Sequence, residues 1–357
     1  MTSDQTPATA AAASRSTTST RIRLTGPASV VAAVPHLLGF APARSAVLIF
    51  LSDQAREIKL TVRVDLPTSA DEEASWVQAL VSTGRHAAAH QVIAVVVDDI
   101  AEATAPDLPW QHVVEAIGHE LEQHDLALTD ALLIGRDRWW SYLCENPQCC
   151  PPDGTPVEAS EAWRVRAAFA YEGVAALPSR DAVADRLRAF DDEWTRDVWE
   201  GVELAAPYAS DFDADEVFDV LTLSTGHDSA LRHDSELAAR ALVGLRSIPV
   251  RDSVIVGLVA RIEERGVRSV AQILDGLCFL VRVAPPEYVP PVASVVAVLS
   301  WQCGDGALAS CALDRALGED PEYSLALLVD ALVRNGVPPQ AVRSGLANLE
   351  VPHPRAS

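Results

Sequence analysis

Lysine is almost absent from this chain: of its 28 basic residues, only Lys59 is a lysine. A P-loop of the usual kind needs a Gly-Lys-Ser or Gly-Lys-Thr step, which never occurs here, so that class of nucleotide site is excluded. A Schiff-base enzyme would have to use Lys59. This lysine lies in an alternating run at 58–64, whose polar side we expect to face water.

Positive charge is also scarce, because the 28 basic residues stand against 50 acidic ones and give a formal net charge of −22. Neither the first 157 residues nor the remainder has a net positive charge. Nucleic acids and anionic membrane surfaces are bound mainly through Lys and Arg. We therefore predict neither of these partners, and a protein partner with a basic segment would suit the charge better.

Long apolar runs are absent too, since none approaches the ~20 residues of a membrane span. Residues 1–20 are mostly small or polar, with Arg15 as their one basic residue, and we expect a disordered tail there. They lack the apolar segment behind a basic start that a signal peptide needs. A cytoplasmic location is predicted, and in that compartment the six cysteines are expected to be reduced.

What the chain does have, over residues 21–157, is an alternation of strand and helix patterns. The continuous apolar run at 46–51 indicates a strand buried on both faces, and we expect it to form a hairpin with 58–64. The alternation predicts a mixed α/β sheet. The other predicted elements are a strand at 21–25, a helix that begins at Pro27 and ends at Gly39, a helix near 71–89, a strand at 92–97, a helix near 110–124, a strand at 131–134 and a last strand after a turn at 135–138.

From about residue 158 the hydrophobic period becomes helical, with stripes such as the one from Val270 to Val281. Two successive helices fill about 34 residues, which is the length of a tetratricopeptide-type hairpin. The chain is therefore predicted as α+β or α/β, with a mixed-sheet domain over 21–157 and an all-helical domain over 158–357. The helical domain is expected to be either stacked hairpins or an irregular bundle. Helix starts are predicted near Ser235, Asp252, Ser269, Pro290, Gly306, Glu322 and Pro339.

Three sets of motifs carry a family resemblance. They are LTGP and VPHLLGF within 24–40, RWWSYLC, CCPP and GTP within 138–156, and GDGALA and DPEYSLA within 304–326. Together they resemble an actinobacterial family of uncharacterised proteins, domain of unknown function 4192. The resemblance implies kinship over most of the chain after residue 20. It implies no reaction, cofactor or catalytic residue.

The sharpest chemical feature is a group of three cysteines within seven positions, Cys144, Cys149 and Cys150, in a proline-rich loop. A tetrahedral zinc site wants four ligands, commonly as Cys-x2-Cys pairs, whereas the spacing here is x4 and then zero. His119, His124 or the helical part would have to complete such a site. A redox-sensing disulfide from Cys144 to either neighbour is a second interpretation, and packed reduced thiols are the third.

A row of aspartates ends the predicted strands. Ligands of open α/β sheets collect at the carboxyl ends of strands, and paired carboxylates there can hold Mg²⁺. On that interpretation the chain is a metal-dependent hydrolase or a nucleotide-binding enzyme, with Asp98, Asp99, Asp137 and His36 as catalytic candidates. The alternative is that these aspartates cap helices and turns, and no glycine-rich phosphate loop supports the enzyme. The row comprises Asp53, Asp65, Asp98, Asp99 and Asp137.

Two acidic patterns of the helical part are interpreted as helix starts. Asp211-x-Asp213-x-Asp215 begins like a calcium loop, but its sixth position is Glu216 in place of the glycine that such a loop needs. Asp234 precedes a helical pattern and is expected to be its N-cap.

The favoured function is a non-catalytic binding or scaffold protein whose helices expose a groove for a protein partner. Trp139, Trp301 and Tyr323 are the candidate anchors, because aromatic side chains dominate binding hot spots. The metal-dependent enzyme is the alternative. Apart from the zinc or magnesium considered above, no cofactor is predicted.

Overall fold

A computed structural model of the chain describes residues 22–52, 57–100, 102–158, 160–223 and 230–346. It has a six-stranded mixed sheet in the first part of the chain, followed by helices. The fold class predicted from the sequence is thereby confirmed. No helix within these ranges is long and apolar enough to cross a membrane.

The sheet is built around strands that are buried on both faces. Its order is β2-β1-β3-β4-β5-β6, and β3 and β4 are parallel while the other neighbours are antiparallel. Every residue of β1 is buried, whereas β2 at the edge is half-buried or exposed, so the predicted hairpin is confirmed. The strands are β1 (Ser45–Leu51), β2 (Ile58–Asp65), β3 (Gln91–Val97), β4 (Ala127–Ile134), β5 (Arg138–Ser141) and β6 (Thr155–Pro156).

Helices cover both faces of this sheet. The helices of this part of the chain are α1 (Pro27–Leu38), α2 (Glu73–Ser82), α3 (Gln111–Glu122) and α4 (Ser160–Tyr171). Val30 and Val34 of α1 pack with Val47 and Ile49 of β1 on one face, and α2 and α3 cover the other. α4 packs against α1 in turn. Alternate side chains of the buried strands thus find an apolar helix on either side.

The rest of the described chain is helical. All 14 residues of α11 are buried, and α8, α9, α10, α12 and α13 pack around it. A helix that is apolar all round is stable only inside a core, so α11 is the axis of a bundle. The helices are α5 (Arg180–Ala184), α6 (Glu193–Ala205), α7 (Ala214–Leu223), α8 (Ser235–Arg246), α9 (Ile248–Arg265), α10 (Ala271–Val283), α11 (Val289–Gln302), α12 (Gly306–Glu319), α13 (Ser324–Arg334) and α14 (Pro339–Leu346).

The predicted helix starts from Ser235 onward lie within four residues of the observed ones. Capping explains why the starts of α8 and α12 are predicted to the residue. Asp234 accepts a hydrogen bond of 2.9 Å from a backbone N–H of the first turn of α8, as predicted, and Asp305 does the same for α12 at 3.0 Å. Gly39 ends α1 in the left-handed conformation, with φ of 79°.

Two features differ from the expectation. Residues 22–25 are not a strand: Ile22 and Leu24 pack against α1 and α4, and within the described ranges their backbone pairs with no strand. The strand β6 is not indicated by any periodicity, because it has two residues.

An isolated bridge between Phe40 and Leu177 joins the sheet-bearing part to the helical part. The division into domains at residue 158 therefore stays a prediction, with α4 packed on α1.

Candidate functional site

A groove of about 690 Å³ lies in the helical part, between α6, α7, α8 and the 3-10 segment Ala206–Asp211. The sheet contributes no residue to its lining. We call this feature the acidic groove, for the charges described below. Sequence patterns predicted a groove in the helical part but assigned none of these residues to it.

Capping side chains set where the three helices of the acidic groove begin. Asp192, Asp213 and Asp234 each accept a hydrogen bond of 2.7–2.9 Å from a backbone N–H three residues later. Such a cap contributes about 1 kcal/mol to helix stability. Asp213 caps the start of α7. The acidic pattern Asp211-x-Asp213-x-Asp215, which begins like a calcium loop, is therefore a helix start, as predicted.

A glycine lets two of these helices approach closely. A Cβ atom placed on Gly201 of α6 would lie 2.9 Å from the Cβ atom of Ala239 on α8. Real Cβ atoms essentially never come so close. The pairing of Gly201 with Ala239 therefore fixes the distance between the walls of the acidic groove.

The groove is strongly negative. One guanidinium, that of Arg240, lies among its carboxylates, where it pairs with Glu216 and sits 5.6 Å from the ring centroid of Phe212. The other four carboxylates have no ion-pair partner among the residues that the structure describes. The carboxylates of the lining are those of Asp197, Glu200, Asp211, Glu216 and Glu236.

Apolar side chains lie beside these charges. Leu204 is 75% exposed and Tyr208 is 62% exposed, and both line the groove. Single exposed apolar residues are ordinary on protein surfaces. Here two of them adjoin unpaired carboxylates in a concave site, which suits a ligand that carries both positive charge and an apolar stem.

At the end of β3, Asp98 is held inside the protein. Its side chain is 4% exposed and accepts a hydrogen bond of 2.8 Å from the indole Nε1 of Trp110. Arg44 lies 3.6 Å away through Nη1. Arg44 and Trp110 both have left-handed backbone conformations, with φ of 43° and 64°. Burial and the nearby Asp98 carboxylate raise the pKa of Tyr142.

The other predicted strand-end acids lie on the surface. Asp99 and Asp137 are exposed, and so is Asp65, which pairs with Arg63. Within the described part of the chain, no group of three metal-ligating side chains includes Asp98, Asp99 or Asp137. The catalytic role proposed for these acids stays a prediction, and Asp53 lies outside the described residues.

His36 lies on α1 and faces α4. Its ring stacks on Phe169 at 4.7 Å between centroids, and the ring also forms a hydrogen bond with the backbone of Val174. Burial lowers the pKa of His36 below its ordinary value, and the nearby Arg166 guanidinium lowers it further. These neighbours are not shared with Asp98, so the structure does not bring the two catalytic candidates into one set of contacts.

The predicted aromatic anchors are packed by their own chain. Trp139 and Trp301 are 6% and 7% exposed. Tyr323 is half-buried, where its hydroxyl accepts a hydrogen bond from Arg251. Their partner-binding role stays a prediction, and the aromatic ring exposed at the acidic groove is that of Tyr208.

The cysteine loop brings three sulfur atoms together. The Sγ atoms of Cys144 and Cys149 are 3.1 Å apart, and all three Sγ atoms lie within 4.8 Å of one another. Hydrogen bonds from Cys149 and from the backbone of Asn146 lower the pKa of Cys144. Burial and the neighbouring thiols raise the pKa of Cys150 to about 12.

Sequence reasoning missed the acidic groove because its walls come from three separate helices. A signal for one wall was present: Asp197, Glu200 and Leu204 follow one another at intervals of three and four on α6, and therefore share a face. No residue pattern could indicate that α8 places Glu236 opposite them.

Comparison with known proteins gives a family and nothing finer. The model of the family described as "Domain of unknown function (DUF4192)" matches residues 27–340. Neither a curated protein nor a solved structure gives a match to the chain.

Proposed function

We propose that this chain, which belongs to the DUF4192 family, is a binding protein whose acidic groove holds a basic segment of a protein partner. The observation that carries the proposal is the set of carboxylates at the groove: four of the five have no ion-pair partner within the described ranges. The family description assigns no activity.

Charge supports a basic occupant. Like charges held near one another repel, so five carboxylates with one guanidinium among them lower stability unless a partner neutralises the excess. A bound Arg or Lys would supply that charge. The overall charge of −22 adds a long-range attraction that speeds the encounter with a cation.

Shape and apolar surface support a peptide segment. About 690 Å³ is within the range of clefts that hold a drug-sized molecule or several side chains. Leu204 and Tyr208 offer apolar surface on which the methylene stem of a basic side chain can lie, and Tyr208 can also face the cation with its ring.

The proposal is tested with a fluorescent peptide of alternating Arg and Leu, measured by anisotropy at two salt concentrations. We expect binding that weakens with salt and a Glu–Leu peptide that does not bind. Each surface pair is worth about 0.2–1 kcal/mol, so Glu200→Gln combined with Glu236→Gln should weaken the affinity several-fold.

Glu263→Gln combined with Glu264→Gln is the matched control, because both residues are exposed on α9 and outside the groove. It removes the same charge and should leave the affinity nearly unchanged. Leu204→Ser should also weaken binding of the Arg–Leu peptide, and should do so by a larger factor than it weakens binding of an Arg–Ser peptide. Equal effects of the groove and control variants would refute the proposal, because binding would then follow net charge alone.

A further inference from the structure

The three thiols of the cysteine loop lie at the surface, unlike most free cysteines. Cys149 is exposed, and Cys144 and Cys150 are intermediate. Cys278 and Cys311, by contrast, are buried within apolar helices. Free cysteine is among the most buried residue types, so packing accounts for the second pair and does not account for the loop.

The sulfur atoms lie within an ångström of the spacing that a single thiophilic ion requires. Zinc–sulfur bonds are about 2.3 Å long, and tetrahedral geometry then puts two ligand sulfurs about 3.8 Å apart. The pair Cys144–Cys149 is 3.1 Å apart, and all pairs with Cys150 lie within 4.8 Å. Shifts of under an ångström would thus bring the three atoms around one ion.

The loop is held in place by hydrogen bonds from the sheet and its surroundings. Trp140 donates from Nε1 to the carbonyl of Pro152 at 3.0 Å, and Arg138 donates to the carbonyl of Gly154 at 2.7 Å. Gly154 has φ of 77° and lies against the Trp140 ring, so a side chain there would meet that ring. A ligand set held on a fixed loop loses little conformational entropy when it binds an ion.

Hydrogen bonds converge on the sulfur of Cys144. The backbone N–H of Asn146 and the Cys149 thiol both hydrogen-bond the Cys144 sulfur. The backbone N–H of Cys144 is itself held by the hydroxyl of Ser141 at 3.2 Å. Metals bind the deprotonated sulfur. The donors favour that form at Cys144, whereas the hydrogen bond with Cys144 raises the pKa of Cys149 and burial raises the pKa of Cys150, so an ion has to displace the protons of these two thiols.

From this geometry we propose that Cys144, Cys149 and Cys150 bind one zinc ion, with a fourth coordination position open to solvent. Binding replaces three S–H bonds by three Zn–S bonds and releases three protons, with no oxidation. No histidine or carboxylate of the described chain belongs to the cluster. A water molecule would therefore complete the tetrahedron.

The surroundings favour a monatomic ligand. The cavity behind the loop, which Cys144 and Cys150 help to line, has a volume of about 10 Å³, too small for an organic molecule. Magnesium and calcium prefer oxygen ligands, whereas thiolates select zinc and other soft ions. The cavity leaves no room for an organic ligand behind the loop. A single ion can contact all three sulfur atoms at once, because these atoms lie within 4.8 Å of one another.

The test uses the full, reduced chain with zinc alone, in competition with a chromophoric chelator. We expect one zinc per chain and release of protons into weak buffer. Cobalt in place of zinc should give the absorption of a tetrahedral cobalt–thiolate site. Each of Cys144→Ser, Cys149→Ser and Cys150→Ser should weaken affinity by more than about 10-fold.

Cys303→Ser is the control, because Cys303 is half-buried in the helical part and far in sequence from the loop. It should bind zinc as the unaltered chain does. If a loop variant fails to fold, alkylation of the unaltered chain decides the question, since zinc should protect three thiols from iodoacetamide, located by mass spectrometry.

Three results would overturn the proposal: no zinc uptake by the reduced chain, uptake that survives all three loop substitutions, or protection of thiols other than these three. A Cys144–Cys149 disulfide that forms in air, together with no zinc uptake after its reduction, would identify the loop as a thiol–disulfide pair instead.

Discussion

Carboxylates serve opposite purposes in the two parts of this molecule. At the end of β3, Asp98 is buried and meets an indole N–H and a guanidinium. In the acidic groove, Asp197, Glu200 and Glu236 line an open surface and have no ion-pair partner within the described residues. A buried ionised group is kept only with partners, and an exposed one needs none. The first arrangement stabilises the fold, and the second leaves charge free for a ligand.

The largest expected effect is that of Asp98→Ala. The change leaves the indole N–H of Trp110 without an acceptor. It also removes the contact of Asp98 with Trp110 and Arg44, two residues whose left-handed backbone conformations are unfavourable for residues other than glycine. Loss of a hydrogen bond to a charged group costs about 1.5–3 kcal/mol, so the free energy of unfolding in urea should fall by that amount. Asp98→Asn, which retains one acceptor oxygen, should cost less.

Asp99→Ala is the matched control for this substitution, because its exposed carboxylate is the next residue along the chain. It should change stability by less than about 0.5 kcal/mol. Equal losses for the two variants would show that the contacts of Asp98 with Trp110 and Arg44 do not stabilise the fold, and the contrast with the groove would disappear.

A smaller effect is expected at Gly201, which sets the width of the groove. Gly201→Ala gains helix propensity but pushes its Cβ atom against Ala239. Gly318→Ala on α12 gains the same propensity and meets no atom within 4 Å. The first variant should therefore be less stable than the second by about 1–2 kcal/mol, measured by thermal unfolding.

Gly201→Ala should also weaken binding of the Arg–Leu peptide, because the added methyl group pushes α6 away from α8 and the walls of the groove move apart. If both glycine variants are equally stable, α6 shifts without cost, and the distance between α6 and α8 is not fixed by this contact.

The sequence predicted those parts of the fold that local chemistry determines. The apolar run of β1 required burial on both faces, and Asp234 and Gly39 mark a helix start and a helix end through hydrogen bonding and a positive φ. Residues 22–25 show the limit of this reasoning. Their alternation does bury Ile22 and Leu24, but against helices, because periodicity records burial and not the hydrogen-bond partner.

The sites depended on contacts between distant residues, which no spacing encodes. The interval between Cys144 and Cys149 does not match a zinc knuckle, yet a turn at Asn146 returns the chain so that the sulfur atoms meet. Similarly, the aromatic residues predicted as anchors were chosen by type, and burial of Trp139 and Trp301 became visible only once the strands and helices had packed. Composition indicated an acidic protein and could not locate the charges.

The pH dependence of stability distinguishes a half-buried titratable group from an exposed one. Burial lowers the pKa of His36 below its ordinary value of 6.5. The unfolded chain then binds more protons than the folded chain as pH falls from 6.5, so stability should decrease in that direction. His36→Gln should reduce this loss, measured by urea unfolding across the acid range. If the His36→Gln variant loses stability as steeply at low pH as the unaltered chain does, the loss comes from carboxylates and not from His36.

Substitution of the groove carboxylates is expected to have the smallest effect on stability. If these carboxylates are free for a ligand, as Asp98 is not, their removal should not destabilise the fold. Glu200→Gln combined with Glu236→Gln removes two charges that repel their neighbours, so the free energy of unfolding should rise by no more than about 0.5 kcal/mol. Salt screens exposed charges, and the gain should therefore disappear at high ionic strength. A loss of stability as large as that of Asp98→Ala would mean that these carboxylates hold the helices together, and they would then not be free to bind a partner.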